Sequence, residues 1–385
     1  MSKIEQLIQQ LCPEGVEYKE LGEVLNYQQP TKFIVKSTKY DDTHKVPVLT
    51  AGQSFILGFT DEEDGIFDAS KENPVIIFDD FTTSFHWVDF SFKVKSSAMK
   101  LIKPISDEFI NFRFIYYAMR CLIYKPQDHA RQWISVYSKF VIPFPPLAIQ
   151  QEIVTILDKF TALEAELEAE LEARSRQYEY YRNQLLAFEG AAVEWKTLGE
   201  VAFYPKKRIS YDNVNLENYV GVENLLQNKQ GKTFSSYVPS SGNLIQYLSN
   251  DILIGNIRPY LKKIWVSDIN GGTNGDVLVI RIQEEFSQKI KSRYLFYLLS
   301  SDDFFKYSMQ FAKGAKMPRG DKDAILKFKI PIPSLEEQER IVNILDQFDA
   351  LVNDIKTGLP AEIKARRAQY EYYRKKLLTF KMVND

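Results

Sequence analysis

Cysteine and histidine are nearly absent from this chain. Among 385 residues there are two cysteines, Cys12 and Cys121, and three histidines, His44, His86 and His129. Two thiols build neither a disulfide framework nor a four-thiolate zinc site, and they fit a reducing compartment, so the cytoplasm is expected. No histidine has a neighbour at metal-ligand spacing, and no metal is expected. No apolar run reaches the roughly 20 residues that span a bilayer. The opening "MSKIEQLIQQLCPEG" carries glutamines and a glutamate where a signal peptide needs an apolar core, so no membrane association or export is expected. With 17 glycines and 16 prolines the chain is neither collagen-like nor disordered, and its 45% hydrophobic content suits two or three folded domains.

Cofactor loops are missing as well. "GKT" at Gly231 to Thr233 lacks the glycine a phosphate loop needs five residues earlier, where Leu226 stands. There is no GxGxxG after a strand and no Asn-Pro-Pro-aromatic tetrapeptide, so neither a dinucleotide nor S-adenosylmethionine is expected to bind this chain. Asp79 and Asp80 could pair as carboxylates, but no further acid and lysine follow at nuclease spacing, and a loop-holding role is expected instead. The chain is expected to contain no catalytic residue.

The net charge of −2 averages unlike regions. Residues 1–140 carry 16 basic and 19 acidic side chains, 141–190 carry 4 and 9, 191–330 carry 20 and 14, and 331–385 carry 9 and 9. A chain this close to neutral holds a polyanion only through local clusters or a basic partner.

Self-comparison exposes a duplication. "VEYKELGEV" from Val16 recurs as "VEWKTLGEV" from Val193, a shift of 177. "IPFPPLAIQQEIVTILDKFTAL" from Ile142 recurs as "IPIPSLEEQERIVNILDQFDAL" from Ile330, a shift of 188, and "QYEYYRNQLLAF" from Gln177 as "QYEYYRKKLLTF" from Gln369, a shift of 192. The growth from 188 to 192 puts a four-residue insertion, about one helical turn, near "KTGLPAE" at Lys356 to Glu362. Gly358 and Pro360 should interrupt the second helix there, with Pro360 opening a restarted turn. A shift of 177 also sets Ile8 and Leu11 on Leu185 and Phe188, so the chain opens with the tail of a repeat and a circular arrangement about a pseudo-twofold axis is expected.

Two helical segments carry apolar seams at steps of three and four. In the first, Ile153, Leu157, Phe160, Leu167 and Leu171 lead to Tyr178 and Tyr181; in the second, Ile341, Leu345, Phe348, Val352 and Ile355 lead to Tyr370 and Tyr373. The Ile153 and Ile341 stripes are expected to bury each other, and the four tyrosines to serve either helix packing or partner docking. "LEAELEAELEAR" from Leu163 to Arg174 is a tetrad repeat in which each unit adds about 6 Å of helix, a spacer of adjustable length with a solvated acidic face.

Each variable stretch between these segments has the same element order. Strands are expected at "KVPVLTAG", "PVIIFDD", "VDFSFKV" and "AMKLI" with a helix at "DEFINFRFIYYAMRCL", then at "NYVGVENL", "NDILIGNI", "KKIWVSD" and "GDVLVIRI" with a helix at "SRYLFYLLSSDDFFKYS". The residues filling that shared order differ almost throughout. Cations beside aromatic, hydroxyl and amide side chains make the candidate DNA contacts. They are Lys32, Lys36 and Lys39; Thr82, Thr83 and His86, beside Trp87; Arg131 and Lys139; Lys206, Lys207 and Arg208; Arg258, Tyr260 and Lys262, beside Lys263; and Lys313, Lys316 and Arg319. Such groups hold phosphates or read base edges, although each alone also fits an ordinary solvated surface.

The duplicated "LGEV", "IPIPSLEEQERIVNILDQFDALVNDI" and "GLPAEIKARRAQYEYYRKKLLTF" resemble the specificity subunits of Type I restriction–modification enzymes, and the likeness covers the whole chain. The resemblance implies an α+β protein with two mixed α/β target-recognition domains, 25–141 and 202–329, separated by two long antiparallel helices in coiled-coil packing, 142–190 and 330–381. Residues 1–24 and 191–201 open the two repeats. "IIFDDFTTSFHWVDFSFKVKSSAMKLI" at Ile76 to Ile102 looks like one recurrent recognition-domain type, and the tetrads resemble the variable-number repeats that alter spacer length. Each domain would read one half of a split double-stranded DNA target. Two methyltransferase subunits and motor-nuclease subunits are the implied partners, and S-adenosylmethionine, ATP and Mg would belong to them. Two alternatives stay open: a methyltransferase–nuclease fusion fragment, which would bind S-adenosylmethionine, and a coiled-coil adaptor without DNA readout.

Overall fold

The computed structural model describes residues 2–52, 54–106, 108–127, 130–188, 193–354 and 357–383, which fall into two compact units. The first comprises residues 1–166 and 364–385, the second residues 167–363. Among the described residues the helices are α1 (Lys3–Leu11), α2 (Leu21–Val24), α3 (Phe112–Met119), α4 (Leu147–Leu186), α5 (Leu198–Val201), α6 (Ser292–Leu299), α7 (Asp302–Gln310), α8 (Lys322–Leu326), α9 (Leu335–Asn353) and α10 (Leu359–Leu377).

In the first unit, Glu17–Glu20 pairs antiparallel with Val141–Phe144, setting Tyr18 opposite Pro143. "LGEV" then winds into α2, closed by a reciprocal bond between Glu20 and Glu23. An antiparallel sheet follows in the order Leu25–Gln28, Met99–Pro104, Val75–Asp79, Phe85–Val88. Its central strand is apolar throughout because both faces are covered: Ile76 and Phe78 enter one core, Val75 and Ile77 another. A smaller sheet orders Ile56–Thr60, Val46–Leu49 and Lys93–Val94.

The second unit repeats this plan with other residues. Glu194–Thr197 pairs with Lys329–Ile332, and Trp195 faces Pro331. The main sheet runs Ala202–Phe203, Val277–Ile282, Ile252–Gly255, Ile264–Val266, the same order counted from the opening strand. Ile252 and Ile254 enter the larger core while Leu253 enters the smaller one. A second sheet orders Arg208–Ser210, Asn243–Tyr247, Gly271–Thr273 and Tyr219–Val220. "NYVGVENL" therefore supplies a strand of two residues only, and the single helix expected at "SRYLFYLLSSDDFFKYS" is two, α6 and α7. Ser301 causes that break: its hydroxyl accepts from the Phe304 N–H (3.2 Å) and caps a new helix.

The helical seams differ from expectation in one respect. Ile153 and Leu157 are buried in the core of the first unit with Phe114, Ile115 and Leu378, whereas Ile341 and Leu345 are buried in that of the second with Tyr294 and Leu298. The two stripes do not face each other, because the first turns of α4 and of α9 are each covered by the adjoining sheet-and-helix module. Pairing between long helices begins later along each seam. In the first unit Phe160 stacks on Tyr373 (5.5 Å) beside Tyr370 (6.4 Å), and Glu164 accepts from Arg367 Nε (2.5 Å), an antiparallel sequence of contacts. In the second unit Phe348 stacks on Tyr178 (6.1 Å) and Tyr181 (5.6 Å), and Leu171 and Val352 join the same core. Leu167 is half-buried, and Ile355 lies outside the described residues.

α9 ends at Asn353 and α10 restarts at Leu359 with Pro360 in its first turn. A Cβ on Gly358 would stand 2.4 Å from the Ala350 carbonyl oxygen, so only glycine permits this close return of the backbone. In the first unit, Val16 donates to the Lys381 carbonyl (2.9 Å) and the Tyr18 hydroxyl to that of Phe380 (2.9 Å), which brings the opening motif against the end of α10. Ile8, Leu377 and Phe380 all pack on that core.

Candidate nucleic-acid interface

Loops can carry unlike chemistry on one plan only if something fixed holds them, and buried polar side chains do so in both units. Gln150, in the first turn of α4, accepts from the Asn111 N–H (2.9 Å) and donates to the carbonyls of Pro145 (2.8 Å) and Phe109 (3.3 Å). Gln338, in the first turn of α9, accepts from the Lys291 N–H (2.9 Å) and donates to Pro333 (2.9 Å) and Lys289 (2.8 Å). Two turns on, Asp158 accepts from Arg113 Nε (3.0 Å) and the Tyr117 hydroxyl, and Asp346 from Arg293 Nε (2.7 Å) and the Tyr297 hydroxyl. Burial first, then the bond to a carboxylate, pushes both phenols upward, so they remain donors. The seams drew attention to apolar residues and passed over these polar ones, although both pairs recur at the shift of 188 and were detectable from it.

The candidate DNA contacts stand on these frames in three situations. Lys32, Lys36, Lys39, Lys139, Lys206, Lys207, Arg208, Arg258 and Lys316 are exposed, and among the described residues none makes an ion pair. Tyr260 is likewise exposed. Arg258 caps a short turn at Pro259–Leu261 with a left-handed backbone (φ 53°). Lys206, Lys207 and Arg208 are consecutive at the edge strand Arg208–Ser210, where three cations can follow a phosphate backbone.

Other candidates are already engaged. Thr83 is buried at a left-handed turn position (φ 59°), its N–H bonded to the Asp79 carbonyl (2.9 Å) and its hydroxyl donating to the Thr82 carbonyl (2.7 Å). Lys262 donates to Asp302 (2.9 Å), Lys313 to Asp321 (2.6 Å) and Arg319 to Asp276 (3.2 Å). His86 Nε2 lies 3.1 Å from the Gly52 carbonyl oxygen, and its ring stacks on Phe55 (4.6 Å). Thr82 is exposed and shares a hydroxyl contact with Ser84 (2.7 Å).

Asp79 and Asp80 hold loops. Asp79 Oδ1 accepts from the N–H groups of Phe81 (2.9 Å) and Thr82 (2.8 Å). Asp80, 1% exposed, accepts from the Trp133 N–H (2.8 Å) and faces buried Lys100 (3.2 Å), with the exposed Arg131 at 3.9 Å. A buried lysine neutralises the acid while the acid fixes the loop from which Arg131 projects.

The tyrosine motifs divide by position. Tyr178 is buried and Tyr370 half-buried under the facing helix, and Tyr181 and Tyr373 stack with one face in solvent. The most exposed member of each motif is the one between, Tyr180 at 61% and Tyr372 at 62%. Periodicity could not select these residues, since they lie off the seam.

Comparison with known proteins agrees with this duplicated plan. Residues 13–173 and 192–365 match the family described as Type I restriction modification DNA specificity domain. The chain is 42% identical over 405 residues to the EcoR124I/EcoR124II Type I restriction enzyme specificity subunit of Escherichia coli, covering 99% of this chain and 98% of that protein. It is 29% identical to a putative Type I specificity subunit of Haemophilus influenzae, covering 95% and 96%. Among solved structures, the S subunit of a Type I restriction–modification system from M. genitalium matches with a TM-score of 0.58 at 14% identity, over 94% of this chain and 96% of that one. A chain from a study of Type I restriction–modification complex assembly matches at 0.59 and 16%, over 96% and 98%. With the family's domain matched in both halves and the E. coli relative matched end to end, the chain belongs to the Type I restriction–modification specificity subunits.

Proposed function

We propose that this chain reads a bipartite double-stranded DNA target, each unit supplying the loops for one half-site. The observation that carries the reading is one skeleton of anchors, buried Gln150 and Gln338 with the half-exposed Asp158 and Asp346, repeated beneath loop surfaces that share almost no residues. Identical frames under unlike loops suit two readers of different sequence. Residues 25–141 and 202–329 are the proposed readers, 142–190 and 330–381 the helices that carry them, and 1–24 and 191–201 the opening segments.

The exposed, ion-pair-free cations take backbone phosphates, and neighbouring amide, hydroxyl and aromatic side chains read base edges. Two methyltransferase subunits dock on the repeated QYEYYR motifs through Tyr180 and Tyr372, flanked by Tyr181 and Tyr373, and motor-nuclease subunits join the full complex. The chain itself is non-catalytic, and S-adenosylmethionine, ATP and Mg act in those partners. The complex works in the cytoplasm; among the described residues, no helix is long and apolar enough to cross a membrane.

Methylome sequencing of a host carrying this chain with its methyltransferase partner tests the reading. The expected outcome is a split methylated motif, of which one half alone changes when residues 202–329 are exchanged for those of a relative. A contiguous motif, or both halves changing together, would overturn it. Binding of S-adenosylmethionine by the chain alone would favour the fusion fragment, and absence of sequence-selective DNA retention by the complex would favour the adaptor.

A further inference from the structure

The second unit contains a cation cluster that shares only Lys262 with the candidate DNA contacts. Arg182, near the end of α4, is 1% exposed. Its guanidinium lies over the Tyr178 ring (5.5 Å), and among the described residues its Nε and Nη2 have no hydrogen-bond partner. Nη2 stands 3.7 Å from Asp302 Oδ1, the oxygen that also receives Lys229 (3.3 Å) and Lys262 (2.9 Å). Three cations converge on one carboxylate. A cavity of about 190 Å³ opens between them, lined also by Ser175, Asn228 and Ser300.

The first unit supplies an internal control. Arg374 occupies on α10 the position of Arg182, with the Tyr370 ring beneath it (5.4 Å); its Nε is likewise without a hydrogen-bond partner among the described residues, but its Nη2 is neutralised by Glu371 (2.5 Å). Glu179 is the counterpart of Glu371, yet it is exposed and makes no ion pair with Arg182 among the described residues. The remaining carboxylate at the cavity, Asp349, accepts from Arg293 (3.3 Å) and Asn353 (2.9 Å). Left-handed backbone at Asn228 (φ 54°), Lys229 (φ 66°) and Lys262 (φ 50°) fixes both lysine loops, which bond to each other through Lys229 N and the Lys262 carbonyl (2.9 Å). Burial, and then the field of Arg182, lower the Lys229 ammonium, as expected where three cations crowd the single Asp302 carboxylate.

We propose that this cavity binds a phosphate-type oxyanion, with Arg182 Nε and Nη2 as its buried donors and Lys229 and Lys262 as its mouth. The volume suits one tetrahedral anion and falls below the roughly 300–1,000 Å³ of pockets for larger ligands. The anion is either free phosphate or a phosphate of the DNA backbone, and the site stands whether or not the split-target reading does.

The test uses the full-length chain with its methyltransferase partner. Its unfolding midpoint is followed against inorganic phosphate, with ionic strength held constant by sodium chloride. A saturable rise is expected, lost in the Lys229→Gln/Lys262→Gln variant and kept in Arg374→Lys, the matching position of the first unit. Arg182→Lys, which keeps the charge but not the paired donors, should weaken the apparent affinity at least tenfold; if it does not fold, the lysine variant still decides. The second arm measures DNA affinity against salt. A fall of about 1 in the log–log slope of the lysine variant assigns the site to a DNA phosphate, whereas an unchanged slope beside a saturable phosphate effect assigns it to the free ion. An unfolding midpoint blind to phosphate together with an unchanged slope overturns the proposal, as does a phosphate effect of equal size in the lysine variant.

Discussion

Gln150 and Gln338 each make three hydrogen bonds to backbone groups from a side chain shut away from water. Truncation strands one N–H and two carbonyls, and unmet buried polar groups cost far more than a formed bond returns. Gln338→Ala should therefore lower the unfolding free energy by about 3 kcal/mol in urea titrations, and Gln150→Ala by a similar amount. A loss below about 1 kcal/mol in either would mean that water takes the amide's place. Asp302 is a second residue-level case. Burial raises its carboxyl, but the hydrogen bond from Lys262 and the fields of Lys229, Lys262 and Arg182 outweigh this and pull it down to about 2 from the ordinary 3.8. A depressed folded value stabilises the protein above the unfolded value and ceases to do so as the acid protonates in the folded state. Asp302→Asn should thus be less stable than the parent at neutral pH, and the gap should close as pH falls from about 4 to about 2. A gap that persists unchanged at pH 2 would count against this ion cluster.

At the scale of elements, the N-cap of α7 is the simplest test of a local signal. Ser301→Ala removes the bond to the Phe304 N–H and should cost about 1 kcal/mol, read as a shift of the denaturant midpoint at constant slope. This break was present in the sequence, since Ser301 precedes Asp302 and Asp303, acids that favour a helix start. The apolar pattern running from Leu295 through Phe304 masked it. The seams show the opposite balance. Steps of three and four located both long segments, because a helix must align its apolar residues whatever covers them, while the growth in repeat shift together with Gly358 and Pro360 located the restart. They could not tell which surface provides the cover, so Ile153 and Ile341 were assigned to each other although each lies beneath its own sheet-and-helix module. The exposed cations were legible as residue types, yet their freedom was not. Lys262, Lys313 and Arg319 read like Lys206 and Arg208 until the fold brings carboxylates to them, Asp302 and Asp276 from some 40 residues away and Asp321 from eight.

Over the whole molecule, the feature that joins the two readers is α4, 40 residues that begin in the first unit and end in the second. Its middle carries the LEAE tetrads, where Glu166 and Leu167 mark the division between units. Glu168, Ala169 and Glu170 there are exposed and Leu167 is half-buried, so removal of the tetrad 167–170 deletes no fully buried residue. It shortens the helix by about 6 Å and turns its far end by about 40°, the difference between four residues and one full turn. Neither anchor network includes a tetrad residue, so both frames and both sets of loops should survive. Deletion of one tetrad is therefore expected to leave each methylated half-site unchanged and to alter only the number of unspecified base pairs between them, by one or two at roughly 3.4 Å per step. Methylome sequencing reads both quantities together. An unchanged gap would show that α4 does not set the distance between half-sites, and a changed half-site would show that the tetrads shape a reading loop.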